Sequence, residues 1–570
     1  MILWLTAVFS PLLVAGLIPV IGSSRGKWVL VLAPLPALGV ALFADLDMVC
    51  ELDTFLLGTR LGFGIFDRTF LLLTVLAWTL SSLFIASSRG KRLTPGFLSM
   101  FALTMGGNIG LVAAQDAISF YTFFALMTFA AYALVVQAGT EKARRAGRIY
   151  LFMAVCAEGL LIAGFMLAVF HSPSHYFTDL APAMAALPPT HPVFWFFFAG
   201  FGVKAGIIFL HFWLPLAHPV APTPASAVLS GAMIKAGLLG WLHFFPLGAV
   251  SFPGWGVAFM FLGLAGAFFG VLAGLGEEYP KTVLAYSSIS QMGLMSFALG
   301  LGLYDQTLWA SAGQGLQWLI INHALAKTLL FLGVAVIGAS LVSPVWRKFI
   351  FGGLCLPGLA LAGASCTAGD QAKYLLKKAA AAGPGGEMGV VLLFLSSAMT
   401  TVLIVHFLWR AWQMPAMEKI TGLQVWFWGG GLFLVAGLPV YFPLLSPGLK
   451  VQGLLSPNPS ALAPVAAGLL FYLLARKPIL GLLQRIIDLG PDPTVGMDLI
   501  WHKGTAGLRQ SSLIQARWME MNLYAFLDQI ISSDFGWERM RHVEYRAARW
   551  PVFGFWFIVL IFILAGWAYW

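Results

Sequence analysis

The sequence predicts an all-α polytopic membrane protein with about 16 transmembrane helices. Three observations carry this. Of 570 residues, 59% are hydrophobic and only 10% charged, where a soluble domain carries about a quarter charged. Mean hydropathy is +0.86 over the whole length, which excludes a soluble globule, a disordered chain and a small disulfide scaffold. The apolar runs are long and unbroken, as membrane helices require, and do not alternate as barrel strands do.

Taken in order, the spans fall near residues 1–21, 28–45, 69–87, 97–113, 117–138, 147–170, 193–216, 224–247, 255–275, 281–301, 310–338, 349–366, 388–409, 424–442, 459–475 and 551–570. The first run has no basic start and reads as a retained span rather than a cleaved signal. Loop charge follows the same order. Arg25 and Lys27 come after the first span, Arg89, Lys91 and Arg92 after the third, Lys142, Arg144, Arg145 and Arg148 after the fifth, and Arg347 and Lys348 after the eleventh. The loop from Asp45 to Arg68 carries Asp47, Glu51 and Asp53 instead. Basic loops after odd-numbered spans place both termini outside the cytoplasm by the positive-inside rule. The excess of 33 Lys and Arg over 23 Asp and Glu has the same origin and does not point to nucleic acid.

Residues 476–550 break the pattern. Arg476, Lys477, Arg485, Asp488, Asp492 and Asp498 make the stretch polar, and from Leu508 onward Trp518, Met521, Leu523, Phe526, Leu527, Ile530 and Ile531 recur among charges at helical spacing. This predicts an amphipathic lateral helix along the membrane face or against a partner, followed by an anchor at 551–570. The domain plan is therefore 1–95, a core at 96–410, further helices at 411–475, the lateral segment 476–550 and the anchor.

Ionisable groups within apolar spans are costly and mark function by default. Glu158 lies in LFMAVCAEGLLIAGFML, Lys204 in FFFAGFGVKAGIIFLHFWLP and Lys235 in SAVLSGAMIKAGLLGWL. His323 and Lys327 lie four apart in LIINHALAKTLLFLGV, on one helical face. Lys281 opens a span at PKTVLAYSSIS, where snorkelling is an equal alternative, and Lys373 lies in GASCTAGDQAKYLLKKA. His406, alone in its span, reads as a hydrogen-bonded core histidine. The four cysteines form no CxxC pair, and there is no GxGxxG or P-loop fingerprint, so no cofactor is expected in this chain.

Helix breaks add a second signal. HFWLPLAHPVAPTPAS holds Pro215, Pro219, Pro222 and Pro224 directly after the Lys204 span, and LCLPGLALAGASCTAGD repeats the interruption with Pro357, Gly363 and Gly369. Broken backbone at membrane depth must line protein or water, and two such breaks point to an inverted-repeat transporter core.

HFWLPLAHPVAPTPASAVLSGAMIKAGLLG, KTVLAYSSISQMG and NHALAKTLLFLG, in that order, resemble the antiporter-like subunits shared by respiratory complex I, Mrp-type cation/proton antiporters and membrane-bound hydrogenases. PDPTVGMDLIWHKG, near 491–504, is similar to the segment after the core in relatives from the Mrp antiporters, and the amphipathic stretch to the lateral helix of the largest antiporter-like member of complex I. The resemblance implies two inverted five-helix repeats with broken helices and a midplane chain of ionisable residues. Lys204 matches the lysine of the first broken helix, Lys235 the lysine linking the halves, His323 and Lys327 the second-half pair, Lys281 the lysine opening KxxLAYSS, and Lys373 the outlet-side lysine.

One departure matters. The family carries a glutamate in its fifth span as partner of the first broken-helix lysine, and aligning on Tyr132 puts Ala125 in that slot. Glu158, one span later, is the expected replacement; a degenerate, largely structural first half is the competing expectation. The resemblance further implies a non-catalytic, proton-translocating subunit of a multi-subunit complex in the cell's inner (plasma) membrane. Its partners would be other membrane subunits, with iron–sulfur or other redox subunits if the complex is redox-driven. An Mrp-type antiporter module without redox partners and a structural scaffold are the alternatives.

Overall fold

The computed structural model describes residues 1–46, 48–89, 93–339, 344–415, 420–445 and 459–487. The anchor at 551–570 and all but the first dozen residues of the lateral segment lie outside the described residues.

The chain is a succession of helices: α1 (Ile2–Leu32), α2 (Leu35–Phe43), α3 (Ile65–Ala86), α4 (Pro95–Ala113), α5 (Ala117–Val136), α6 (Glu141–Phe170), α7 (Phe177–Ala186), α8 (Pro192–Ala205), α9 (Trp213–Val220), α10 (Thr223–Val228), α11 (Lys235–Phe244), α12 (Pro253–Leu275), α13 (Pro280–Tyr304), α14 (Trp309–Ile337), α15 (Pro344–Ala362), α16 (Ala368–Ala382), α17 (Gly386–Gln413), α18 (Gly422–Leu445) and α19 (Pro459–Ile487). One antiparallel hairpin, β1 (Cys50–Leu52) with β2 (Thr59–Leu61), pairs Cys50 with Leu61. Among the described residues, eleven helical segments are long and apolar enough to cross a membrane. The protein is a multi-pass membrane protein.

Sequence explains the boundaries. Thr94, Asp116, Thr140 and Thr367 each turn a side-chain oxygen onto a first-turn N–H of the helix that follows, satisfying donors that have no partner within a helix. Gly22, with φ +76°, reverses α1 on itself, so that Gly26 packs on Ile18 and Ser10 donates to the Ala33 carbonyl at 2.7 Å. The expected spans 1–21 and 28–45 are the two arms of this reversal.

α14 is the centre of the bundle. Its membrane-length window is 100% buried inside the protein, whereas that of α18 is only 33% buried. An apolar helix without a polar face belongs inside the bundle. α13 runs beside α12 as an equally buried helix, but Ser287, Ser288, Ser290, Gln291 and Ser296 keep it out of the eleven apolar segments. The two backbones touch: a Cβ on Gly263 would sit 2.6 Å from the Gly293 carbonyl oxygen, and one on Gly293 would run into the Gly263 carbonyl in turn. Small residues permit this approach, which replaces the hydrophobic drive that lipid cannot supply.

Two helices are interrupted. α8 stops at Ala205 and the chain resumes at α9, with Gly206 at φ +67° and Phe209 at φ +71° between them. α15 stops at Ala362 and resumes at α16, with Gly363 at φ +80° and Cys366 at φ +65°. The first break thus precedes the four prolines expected to make it. Pro215 occupies the first turn of α9, and Pro222 and Pro224 the start of α10, where a missing N–H costs nothing. Pro357 likewise lies inside α15, ahead of its break.

Candidate functional site

Lys204 ends α8 in its last turn, beside the first break, and is 4% exposed. Its amine donates to the Thr128 hydroxyl at 3.1 Å and to the Tyr150 hydroxyl at 3.4 Å, and lies over the Phe124 and Tyr150 rings. Tyr150 in turn donates to the Thr128 carbonyl at 2.8 Å. Its ring stands edge-on to Trp213, whose indole N–H donates to the Val203 carbonyl at 2.8 Å. The Val203 carbonyl, which also accepts the Gly206 N–H, is thereby tied to the far side of the break.

Glu158 of α6, also 4% exposed, shares one cavity with Lys204, lined in addition by Phe124, Thr128, Tyr150 and Trp213. Its carboxylate faces Lys204 and, on α5, Thr128 and Tyr121, yet neither oxygen closes a hydrogen bond. Ala125 lies between Tyr121 and Thr128 on the same face of α5, four residues from one and three from the other. The acid on α6 therefore confronts the stretch of α5 that holds Ala125.

Toward the hairpin end of the molecule the cavity meets phenylalanine. The Phe201 ring lies 5.5–6.2 Å from those of Phe120, Phe124, Phe165, Phe197 and Phe244. Beyond them His243 faces Asp67 at 3.0 Å, with the Phe177 ring 4.4 Å from the imidazole.

A second group surrounds α14. A π-turn at Leu229–Met233 sends the Ile234 N–H to the Leu229 carbonyl at 3.2 Å, so the Ser230 carbonyl loses its α-helical donor. The Lys235 amine takes that place at 2.7 Å. The Ser230 hydroxyl bonds the Ser288 hydroxyl at 2.8 Å, and Ser288 donates to the Leu284 carbonyl, which also accepts the Lys327 amine at 2.7 Å. The two serines thus join Lys235 to Lys327. His323, 1% exposed, faces both lysines and has no hydrogen bond at either ring nitrogen. Lys281 turns inward rather than snorkelling: its amine donates to the Ala221 carbonyl at the C-terminus of α9, at 2.9 Å. His218, stacked on Phe331, faces Lys281 and Lys327.

Lys373 of α16 folds back across the second break and donates to the Ala362 carbonyl at 2.5 Å. Asn322, next to His323, donates to Ala360 at 2.9 Å, so both contacts answer carbonyls at the end of α15. His406 is held on both ring nitrogens, by the Glu277 carbonyl and the Tyr472 hydroxyl, the core histidine that was expected.

The structure therefore brings Glu158 to Lys204, and Lys235 to His323 and Lys327 with Lys281 close by. No described hydrogen bond or charge contact joins Lys204 to Lys235, and Lys373 stands at its own break. Thr128, Tyr121, Tyr150, Ser230 and Ser288 escaped the sequence reading, which weighed only ionisable groups. Spacing from Ala125 along α5 could have pointed to Tyr121 and Thr128.

Residues 114–344 match the model of the NADH:quinone oxidoreductase/Mrp antiporter transmembrane family, a range containing Glu158, Lys204, Lys235, Lys281, His323 and Lys327. Over those residues the chain is similar to that family. Hydrogenase-4 component B of Escherichia coli is 35% identical over 254 residues, 42% of this chain and 37% of that protein. The chain thus spans little more than a third of the length of this curated relative. The likeness of fold extends further than the sequence match. A chain of the Mrp complex from Dietzia sp. superposes on 97% of this chain and 63% of its own length, with a TM-score of 0.72 at 19% identity. A chain of respiratory complex I from Thermus thermophilus superposes on 82% of this chain and 99% of its own, with a TM-score of 0.67 at 20% identity.

Proposed function

We propose that the protein is the proton-translocating, antiporter-like subunit of a multi-subunit complex in the plasma membrane, driven by redox chemistry in partner subunits or by cation exchange. The observation that carries this reading is the placement of a buried lysine at each interrupted helix, Lys204 at the first and Lys373 at the second, with Lys235, His323 and Lys327 packed between. The helix order supports two inverted five-helix units, α4 to α11 and α12 to α17, each with its fourth member interrupted. The count of about sixteen spans belongs to this reading and is supported by the eleven membrane-length apolar segments among the described residues.

The chemistry is charge pairing in a dry interior. A carboxylate near Lys204 favours the ammonium, and one that withdraws leaves a cation in a medium that tolerates it poorly. Glu158 takes the role of the missing fifth-span acid, because it faces the stretch of α5 that Ala125 occupies. A proton loaded at Lys204 is handed toward Lys235 and Lys327, Lys281 supplies the second half, and Lys373 delivers to the far side. Electron carriers, where used, belong to partners.

The test is proton uptake by inverted vesicles carrying the assembled complex. Glu158→Gln and Lys204→Met each abolish uptake without loss of assembly; parental uptake in Glu158→Gln ends the pairing role. The Mrp-type reading has its own support in the 97% overlap with a chain of the Mrp complex. Co-purification decides between the two. Iron–sulfur partners identify a redox-driven pump, whereas small membrane partners and a sodium requirement identify an antiporter.

A further inference from the structure

We propose that Thr128 is the positioning residue of the Glu158–Lys204 site: its hydroxyl competes with the Glu158 carboxylate for the Lys204 amine and holds the pair apart. The inference rests on the proposed role of that pair and adds what controls it.

An ammonium has three donors and no acceptor. Two are taken here by neutral oxygens, the Thr128 and Tyr150 hydroxyls. Tyr150 is set for this: its own proton goes to the Thr128 carbonyl, which turns a lone pair to the amine. The carboxylate that should win a buried cation does not close on it: neither Glu158 oxygen reaches hydrogen-bond distance, and besides Lys204 it faces the Thr128 and Tyr121 hydroxyls. The shared cavity measures about 10 Å³ and its accessible wall is apolar, so it offers a water neither ample room nor the polar partners it needs, and acid and amine stay apart.

The geometry makes Thr128 a firm competitor. α5 cannot retreat from it, because a Cβ on Gly107 of α4 would already lie 2.5 Å from the Met127 backbone nitrogen. Tyr150 is linked through Trp213 to the Val203 carbonyl, one residue before Lys204. A movement of the interrupted helix would therefore shift both hydroxyls relative to the amine at once. Loss of this hold would let the lysine close onto Glu158.

The experiment uses the assembled complex. Thr128→Val keeps the shape of the side chain and removes the hydroxyl; Thr128→Ser keeps the hydroxyl. In a cryo-EM structure of Thr128→Val the Lys204 amine closes to within about 4 Å of the Glu158 carboxylate, and proton uptake falls about tenfold or more. Thr128→Ser keeps the separation and the uptake, a rescue that a purely structural role for the valine-sensitive position would not produce. In a Glu158→Gln background Thr128→Val leaves the Lys204 amine where Glu158→Gln alone leaves it, because no carboxylate remains to close upon. Should Thr128→Val fail to assemble, Tyr150→Phe removes the second acceptor and gives the same closure. Parental uptake with the amine still off the carboxylate in the valine variant overturns the proposal. Parental uptake in Glu158→Gln alone instead overturns the underlying role of the pair, so the two failures are distinct.

Discussion

Replacing Gly237 by alanine puts a methyl group where the protein has no room for one. A Cβ at this position of α11 would lie 2.6 Å from the Ala205 nitrogen and closer still to the Phe201 carbonyl oxygen, both backbone atoms of α8, where ordinary contact begins at 3.4 Å. The two helices must part by about 1 Å, at a cost of about 1–3 kcal/mol for overpacking. α8 has no slack on its other side, because a Cβ on Gly200 would be 2.7 Å from Leu161 of α6. The strain therefore reaches Lys204, whose bond to Thr128 is 3.1 Å and fails beyond about 3.5 Å. A displacement of about 1 Å exceeds that margin. Gly237→Ala is expected to lower the thermal midpoint of the detergent-solubilised protein and to cut proton uptake in inverted vesicles, with assembly retained. A lower midpoint with uptake intact would refute the link between this helix contact and Lys204; no change in either would refute the packing argument itself.

Phe201→Ser puts a hydroxyl at the centre of the phenylalanine cluster, and the vesicles should then leak protons under an imposed potential, since apolar constrictions hold by staying dry; Phe201→Leu should stay tight, and equal tightness in both variants would show that the cluster is not the barrier. Gly363→Ala strains a φ of +80° and brings a Cβ to 2.5 Å from the Lys373 side chain, so it should displace that amine from Ala362 and slow uptake, whereas parental rates would remove Lys373 from the path. Trp78→Phe deletes the donor, 2.9 Å away, that satisfies the buried Asn108 carbonyl oxygen, and should cost about 1–3 kcal/mol, measured as a lower thermal midpoint with uptake per assembled complex unchanged.

Much of the site was legible because charge in an apolar span is conspicuous. Glu158, Lys204, Lys235, Lys327 and Lys373 stand out wherever the chain is read through a window of membrane thickness, and each is buried in the structure. Pairing was less legible. That Glu158 faces Lys204 depends on how α6 is rotated against α8, and that Lys281 turns inward depends on the Ala221 carbonyl waiting at the end of α9. The neutral partners were invisible: Thr128, Tyr150, Ser230 and Ser288 are ordinary residues for a membrane helix until a lysine is placed beside them. The π-turn before Lys235 left no mark that periodicity could detect, because one extra residue in a turn does not disturb a run that is buried on every face.

The class of protein, the order of its spans and the identity of its buried ions are written in the residues themselves, since they follow from transfer free energies that each residue carries wherever it lies. The interruption of two helices is signalled there too, by a proline-rich stretch and a Pro/Gly-rich one, although each break falls elsewhere than at those prolines. Where the breaks fall, which ions meet, and that the acid and amine of the first site share one cavity without touching are matters of packing. Those outcomes depend on distances of a few tenths of an ångström between helices far apart in the chain. The glycines that set such distances act by the side chain they lack.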